Sequence, residues 1–228
     1  MGKYRRSIGT LFITPEGVYH SSRDLGILEL TVEVVPAAPK TNYINIPGTD
    51  GSRDQTEALG VGVKYEDRTI KWTFALYPGD HWYETQGEVS NALNGRTAKI
   101  ILDDDPGWYY DGRITVENHK SDKLLRQITV SARCRPYKLR HRRSELIDDR
   151  LSVDEKPIAL TIGAMPQMPT ITVTEETELR WPAKNLTVLL PEGTHRIPEL
   201  FMHGQQLLTV RAPGGTGSIK FSWQEGSL

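Results

Sequence analysis

The sequence predicts a mainly β protein of two domains with one short helix. Three features carry that expectation: period-two alternation in segment after segment, a single stretch of helical spacing, and a charged, aperiodic connector past the middle of the 228 residues. Hydrophobic residues at 37% and charged residues at 25% exclude a disordered chain.

The first clear strand signal is LELTVEVV, residues 28–35. In YEDRTIKWTFAL (65–76), Ile70, Trp72, Phe74 and Leu76 share one face, and Thr69, Lys71 and Thr73 share the other. DHWYETQGEVSNALNG (80–95) breaks the alternation: Trp82, Val89 and Leu93 stand near helical spacing, and Gly95 suits the left-handed residue after a helix. A short helix over about 81–94 is expected, weakened by Gly87 at roughly 1 kcal/mol relative to alanine. TAKIIL (97–102) and RITVE (113–117) follow, then QITVSARC (127–134), where Ile128, Val130, Ala132 and Cys134 fall on one face.

Residues 133–157 lose periodicity, are dense in charge and carry a proline at each end, as an exposed connector would. The boundary is placed at about 140, giving domains 1–140 and 141–228. Beyond it LTVLL (186–190), LLTVR (207–211) and IKFSW (219–223) alternate between turn signals such as Pro191-Glu192-Gly193 and APGGTGS (212–218), the spacing of a small β-sandwich.

Chemistry is hard to find. With 28 basic and 29 acidic side chains the net charge is −1, so no global field draws the chain to nucleic acid or an anionic membrane. The single cysteine, Cys134, excludes an intrachain disulfide, and six scattered histidines offer no zinc pattern. The apolar run Leu11-Phe12-Ile13 is too short for a secretory signal, and no stretch is long enough to span a bilayer, so synthesis in the cytoplasm is expected. Asp103, Asp104, Asp105 and Asp111 are oxygen donors for a hard cation, but the calcium-loop spacing is missing and a hairpin turning at Asp105-Pro106-Gly107 accounts for them. GVGVKY (60–65) and PGGTGSIK (213–220) lack the phosphate-loop spacing and lead into strands. The basic run Arg133, Arg135, Lys138, Arg140, Arg142, Arg143 is followed by Glu145, Asp148 and Asp149, which would partly neutralise it. No catalytic residue, metal or cofactor is assigned, which points towards binding or assembly.

The stretch YINIPGTDGSRDQTEALGVGVKYEDRTIKWTFAL (43–76) narrows this. A strand runs into Ile46, Pro47, Gly48, Asp50 and Gly51, then Asp54, Thr56 and Glu57, then Tyr65 and Arg68 at the next strand. That order resembles the distal tail proteins of long-tailed, non-contractile bacteriophages. ALNGRTAKIILDDDPGWYYDGRITVE (92–117), RPYK (135–138) and the ending GSIKFSWQEGSL are similar to the family's later segments, in the same order. The sequence departs from the family at Asn94, where a histidine is frequent, and it has no length for an inserted carbohydrate-binding module.

The resemblance implies a baseplate hub: a homohexameric ring at the virion tail tip, active in host attachment and genome ejection. The N-terminal β-sandwich or barrel would form the ring around a DNA channel, between the tail tube protein above and a tail-associated hub or fibre protein below. The C-terminal domain would be a galectin-like β-sandwich, available to receptor-binding proteins. DNA would pass without specific binding, and the protein would not insert into a membrane. Gly48 and Gly51 permit positive φ, and Asp50 and Asp54 can accept nearby amides, so 45–57 is read as an assembly corner without chemistry. A channel that must not retain DNA favours carboxylates over arginines, so Asp50, Asp54, Glu57 and Asp103, Asp104 and Asp105 are candidates for the lumen or a ring interface. The alternative is a carbohydrate-binding adhesin module, for which Trp181, beside Pro182, is the candidate for stacking on a glycan.

Overall fold

The computed structural model describes residues 9–58, 62–76, 82–121 and 126–228. The chain divides between Lys138 and Leu139 into two compact units, 1–138 and 139–228.

The first unit contains strands β1 (Thr10–Thr14), β2 (Gly17–His20), β3 (Ile27–Val34), β4 (Tyr43–Asn45), β5 (Ser52–Asp54) and β6 (Arg68–Leu76), helix α1 (Trp82–Leu93), then β7 (Thr97–Leu102), β8 (Trp108–Ser121) and β9 (Arg126–Cys134), with β10 (Lys138–Arg140) spanning the division. Strands β2-β1-β7-β8-β9-β6-β3 form one antiparallel sheet in that order, while β4 and β5 pair only with each other. Alternation decides what is buried. Ile70, Trp72 and Phe74 of β6 and Ile128, Val130, Ala132 and Cys134 of β9 point into one core, and Lys71 points out. Phe12 of β1 meets Trp72 edge to face, ring centroids 5.6 Å apart, so the sheet curls until its early and late strands touch. Trp82, Val89 and Leu93 seal the same core with one face of α1, which ends at Gly95 with φ 74°.

A polar chain ties the start of this sheet together. The Trp72 indole N–H donates to Thr10 Oγ1 at 3.0 Å, and the Thr10 hydroxyl donates to Glu29 Oε2 at 2.6 Å. The buried His20 reaches Asp103 from Nε2 at 3.1 Å, while its Nδ1 faces the amides of Ser22 and Arg23. Burial raises the Glu29 carboxyl above the usual glutamate range, against the lowering effect of the Thr10 hydroxyl.

The second unit has strands β11 (Ser144–Leu151), β12 (Lys156–Thr161), β13 (Thr170–Val173), β14 (Thr177–Trp181), β15 (Leu186–Leu190), β16 (Gly193–His195), β17 (Gln205–Arg211), β18 (Gly217–Trp223) and β19 (Gly226–Ser227). Two four-stranded antiparallel sheets, β11-β18-β13-β16 and β12-β17-β14-β15, enclose a single core that includes Ile171 and Phe221 from one and Leu160, Leu179 and Leu208 from the other. This is the sandwich expected from the turn spacing.

The connector reading of 133–157 needs correction. Ser144–Leu151 is a strand that pairs with β18 on one side, and its residues alternate half-buried and exposed from Ser144 to Asp149. Its acidic residues are the charges an outer strand carries against unwanted pairing, and they hide the strand within a charged run. The basic residues before it are also neutralised differently from the expectation. Arg133 pairs with Asp67 at 2.7 Å, Arg135 with Asp111 at 3.3 Å and Lys138 with Asp105 at 2.7 Å, and Arg140 pairs with Glu225. Glu145 and Asp148 turn instead to Lys220 and Lys156.

Candidate assembly surface

The feature that stands apart from both cores is a hairpin arm. It leaves β3 after Val34 and returns at Arg68, and every residue from 38 to 54 is exposed. At its root Lys40 donates to the Lys64 carbonyl at 2.7 Å and Glu66 to the Ala38 carbonyl at 2.8 Å, with a bridge between Pro39 and Tyr65. Tyr65 packs edge to face on Tyr137 at 6.0 Å, and the buried Arg68 guanidinium lies 5.5 Å from the Tyr110 ring centroid. Halfway out, Gln55 donates to the Asn42 carbonyl and the Asn42 amide to Thr56 Oγ1. The Thr56 hydroxyl and then its amide, 2.8 Å away, hold the exposed Asp54 below the usual aspartate range.

Beyond that point β4 and β5 run Tyr43 opposite Asp54, Ile44 opposite Arg53 and Asn45 opposite Ser52. Six residues, Ile46 to Gly51, close the tip. There Thr49 donates twice to the Ile46 carbonyl, from its amide and its hydroxyl, and Gly48 and Gly51 take φ 84° and 73°. Only glycine adopts those angles without strain. From the root bridge to the tip the arm reaches roughly 20 Å at the usual rise of a strand. It has no apolar layer of its own: Tyr43, 59% exposed, Ile44 and Ile46 all face solvent.

All ten motif residues lie along this arm. Ile46, Pro47, Gly48, Asp50 and Gly51 make the tip, Asp54, Thr56 and Glu57 lie on the returning side, and Tyr65 and Arg68 anchor the root. The region read as a corner is thus a projection. Asp103, Asp104 and Asp105 sit elsewhere, on the turn between β7 and β8, where Asp103 meets His20 and Asp105 meets Lys138. The structure does not bring that turn and the arm's carboxylates into contact with each other. Among the described residues, no group of three or more His, Cys, Asp or Glu is placed to hold a metal ion.

Two side chains weighed for chemistry lie inside. Trp181 is 3% exposed in the core of the second unit, because the 3-10 helix Pro182–Lys184 turns the chain just after it and leaves its ring facing inward beside Leu179 and Leu208. It cannot present a stacking face to a glycan, and that assignment is withdrawn. Burial pushes the Cys134 thiol up to about 12, where no useful thiolate forms at neutral pH.

One part of the surface was not anticipated. Strand β3 pairs with β6 on one side; on the other the Ile27 amide donates to the Ser21 carbonyl at 2.9 Å, and from Leu28 to Val34 no described strand pairs with it, so this stretch, bulged at Leu30, forms an edge of the sheet. Leu30 and Val35, 42% and 38% exposed, stand on and just beyond it, with Glu33 between them exposed and outside any ion pair among the described residues. Alternation in LELTVEVV signals a half-buried strand, but no local pattern says which strand ends a sheet.

No family model matches the chain, and no curated protein matches it. Among solved structures it is similar to the SPP1 Dit protein, gp 19.1, described as a paradigm of the hub adsorption apparatus in phages infecting Gram-positive bacteria. The likeness covers 96% of this chain and 99% of that one, with a TM-score of 0.61 and 15% sequence identity. The two share a fold over nearly their whole lengths.

Proposed function

We propose that this protein is a structural component of a phage tail tip: a hub subunit that closes into a homohexameric ring between the tail tube and the host-recognition apparatus, leaving a channel for DNA. The observation that supports the reading best is the end-to-end likeness to a hub protein, which spans both units rather than one common sandwich. The arm fits the same role. An isolated hairpin with two solvated faces is marginal in water and needs a neighbour to become a fixed structure. The basic residues of 133–140 are already paired within the chain, which suits a protein that DNA passes without being held. The carboxylates of the arm and of the β7–β8 turn remain candidates for lumen or interface. An adhesin acting through Trp181 has lost its stacking residue.

The test is the mass of the purified protein by light scattering, with negative-stain images of the same fraction. A ring of six 25.7 kDa chains weighs about 154 kDa and is annular. A chain that stays monomeric alone and also when mixed with its tail-tube and hub proteins overturns the proposal.

A further inference from the structure

A strand at the end of a sheet has one unpaired side, and folded proteins guard such edges with charge, proline or shortness. Among the described residues the second unit has four of them: β11 and β16 end one sheet, β12 and β15 the other. Three are guarded. β11 carries Glu145, Asp148, Asp149 and Arg150, β12 carries Lys156 and Pro157, and β16 is three residues long. β15 is the exception. Its sequence, LTVLL, has neither charge nor proline, and among the described residues it pairs with β14 alone. Leu186 and Val188 pack against the core yet stay half-buried, and Leu189 is 54% exposed on the opposite face. Apolar surface is thus left at the rim of the core, where one more strand would cover it.

We infer that β15 is a docking edge for a second copy of this chain: the two β15 strands pair antiparallel and join two four-stranded sheets into one of eight. Three features of the strand select that occupant. First, opposite residues of an antiparallel pair point to the same side, so the sheets continue one another only when core-facing residues lie opposite core-facing residues. Setting Val188 opposite its own counterpart meets that condition and uses the whole strand, with Leu186 opposite Leu190 and Thr187 opposite Leu189. Second, the strand carries no charge, so no like charges oppose each other along it. Third, its ends are complementary. Lys184 stands two residues before β15 and Glu192 two residues after it, both exposed and in no ion pair among the described residues. In this register Lys184 of each copy arrives at Glu192 of the other, twice by symmetry, whereas parallel pairing would bring like charges together. The contact is isologous and closes after two copies, so a lone chain becomes a dimer and a ring pairs with another ring.

The experiment is a charge swap in the full chain, read by sedimentation equilibrium over a concentration series. The wild-type particle, chain or ring, should go over to twice its mass as concentration rises. Lys184→Glu and Glu192→Lys change exposed positions, so both variants should melt as wild type does. Each one alone puts two pairs of like charges into the contact and should weaken the doubling by about tenfold or more. The chain with both substitutions restores two attractive pairs and should double nearly as well as wild type. So should an equal mixture of the two single variants. The double variant is decisive, because its net charge equals that of wild type and its recovery reports these two positions rather than overall charge. A wild-type mass that stays constant with concentration overturns the docking. So does a doubling that either single variant leaves unchanged, or that the double variant fails to recover. None of these results bears on the hub reading, which turns on the number of copies in the undoubled particle, and that number can differ from six while the doubling stands.

Discussion

Strand β6 and the arm that precedes it are two stretches of one continuous chain with opposite physical roles. In β6, Ile70, Trp72 and Phe74 are fully buried, and both neighbouring strands, β3 and β9, are in place. In the arm, every residue from 38 to 54 is exposed and each strand has a single partner. Burial of apolar surface is the main favourable term in folding, so β6 stabilises the unit and the arm contributes almost nothing to it. What the arm has of its own is local geometry: glycines at positive φ and a ladder of short-range hydrogen bonds. Burial of apolar surface accounts for the first stretch, and the second has no buried face to account for it.

The sharpest way to break that contrast is at Trp72. Trp72→Ala removes a fully buried ring, its edge-to-face contact with Phe12 and the N–H donated to Thr10. The expected cost is about 3–5 kcal/mol, enough to unfold most single domains, and denaturant unfolding followed by fluorescence or circular dichroism would measure it. A cost under about 1 kcal/mol would mean that the first unit is not held together by this core.

The same contrast explains what could be read in advance. Where one face of a strand is buried, as in TAKIIL, QITVSARC and IKFSW, alternation marks the strand within a residue or two of its observed ends. The helix is legible from Trp82, Val89, Leu93 and Gly95 for the same reason. Periodicity fails where burial does not impose it. β4 and β5 have no buried face at all, and β11 carries acidic residues that make it resemble a linker. The arm was therefore visible only as a motif in a particular order, and the open edge of β3 not at all, because an edge is a property of the whole sheet. Trp181 failed for another reason: a proline after a tryptophan suggests an exposed corner, and here the turn comes one residue after the side chain has entered the core.

A smaller effect sharpens the comparison from inside the folded sheet. Glu29 is half-buried, and burial raises its carboxyl in the native state. An acid whose native value lies above its unfolded value is protonated more readily when folded. Its contribution is fully present below the unfolded value and is lost as pH rises through the native one. Stability of the first unit should therefore decline from the ordinary glutamate range upwards. Glu29→Gln, whose amide oxygen can still accept from Thr10, should flatten that decline and be at least as stable as wild type at pH 7. Melting temperatures of both proteins across pH 4–7 would check it, and a steeper decline in the variant would contradict the assignment.

The smallest expected effect is the most diagnostic. Gly48 sits at the arm's tip with φ 84° and open space around the position a Cβ would occupy. Gly48→Ala thus meets no clash, only the backbone strain of about 1 kcal/mol that a side chain suffers in the left-handed region. If the arm opens independently of the core, that strain falls on a local equilibrium and not on global unfolding. The melting temperature should stay within a degree or so of wild type, while amide hydrogen exchange across 43–54 accelerates several-fold. In the assembled state the same amides would be covered, and the strain would have to be borne by the contact, so assembly should weaken where folding does not. A variant that melts several degrees lower with no local change in exchange would show the arm to be part of the cooperative core, and the division between a stabilising sheet and a contact-making arm would fall.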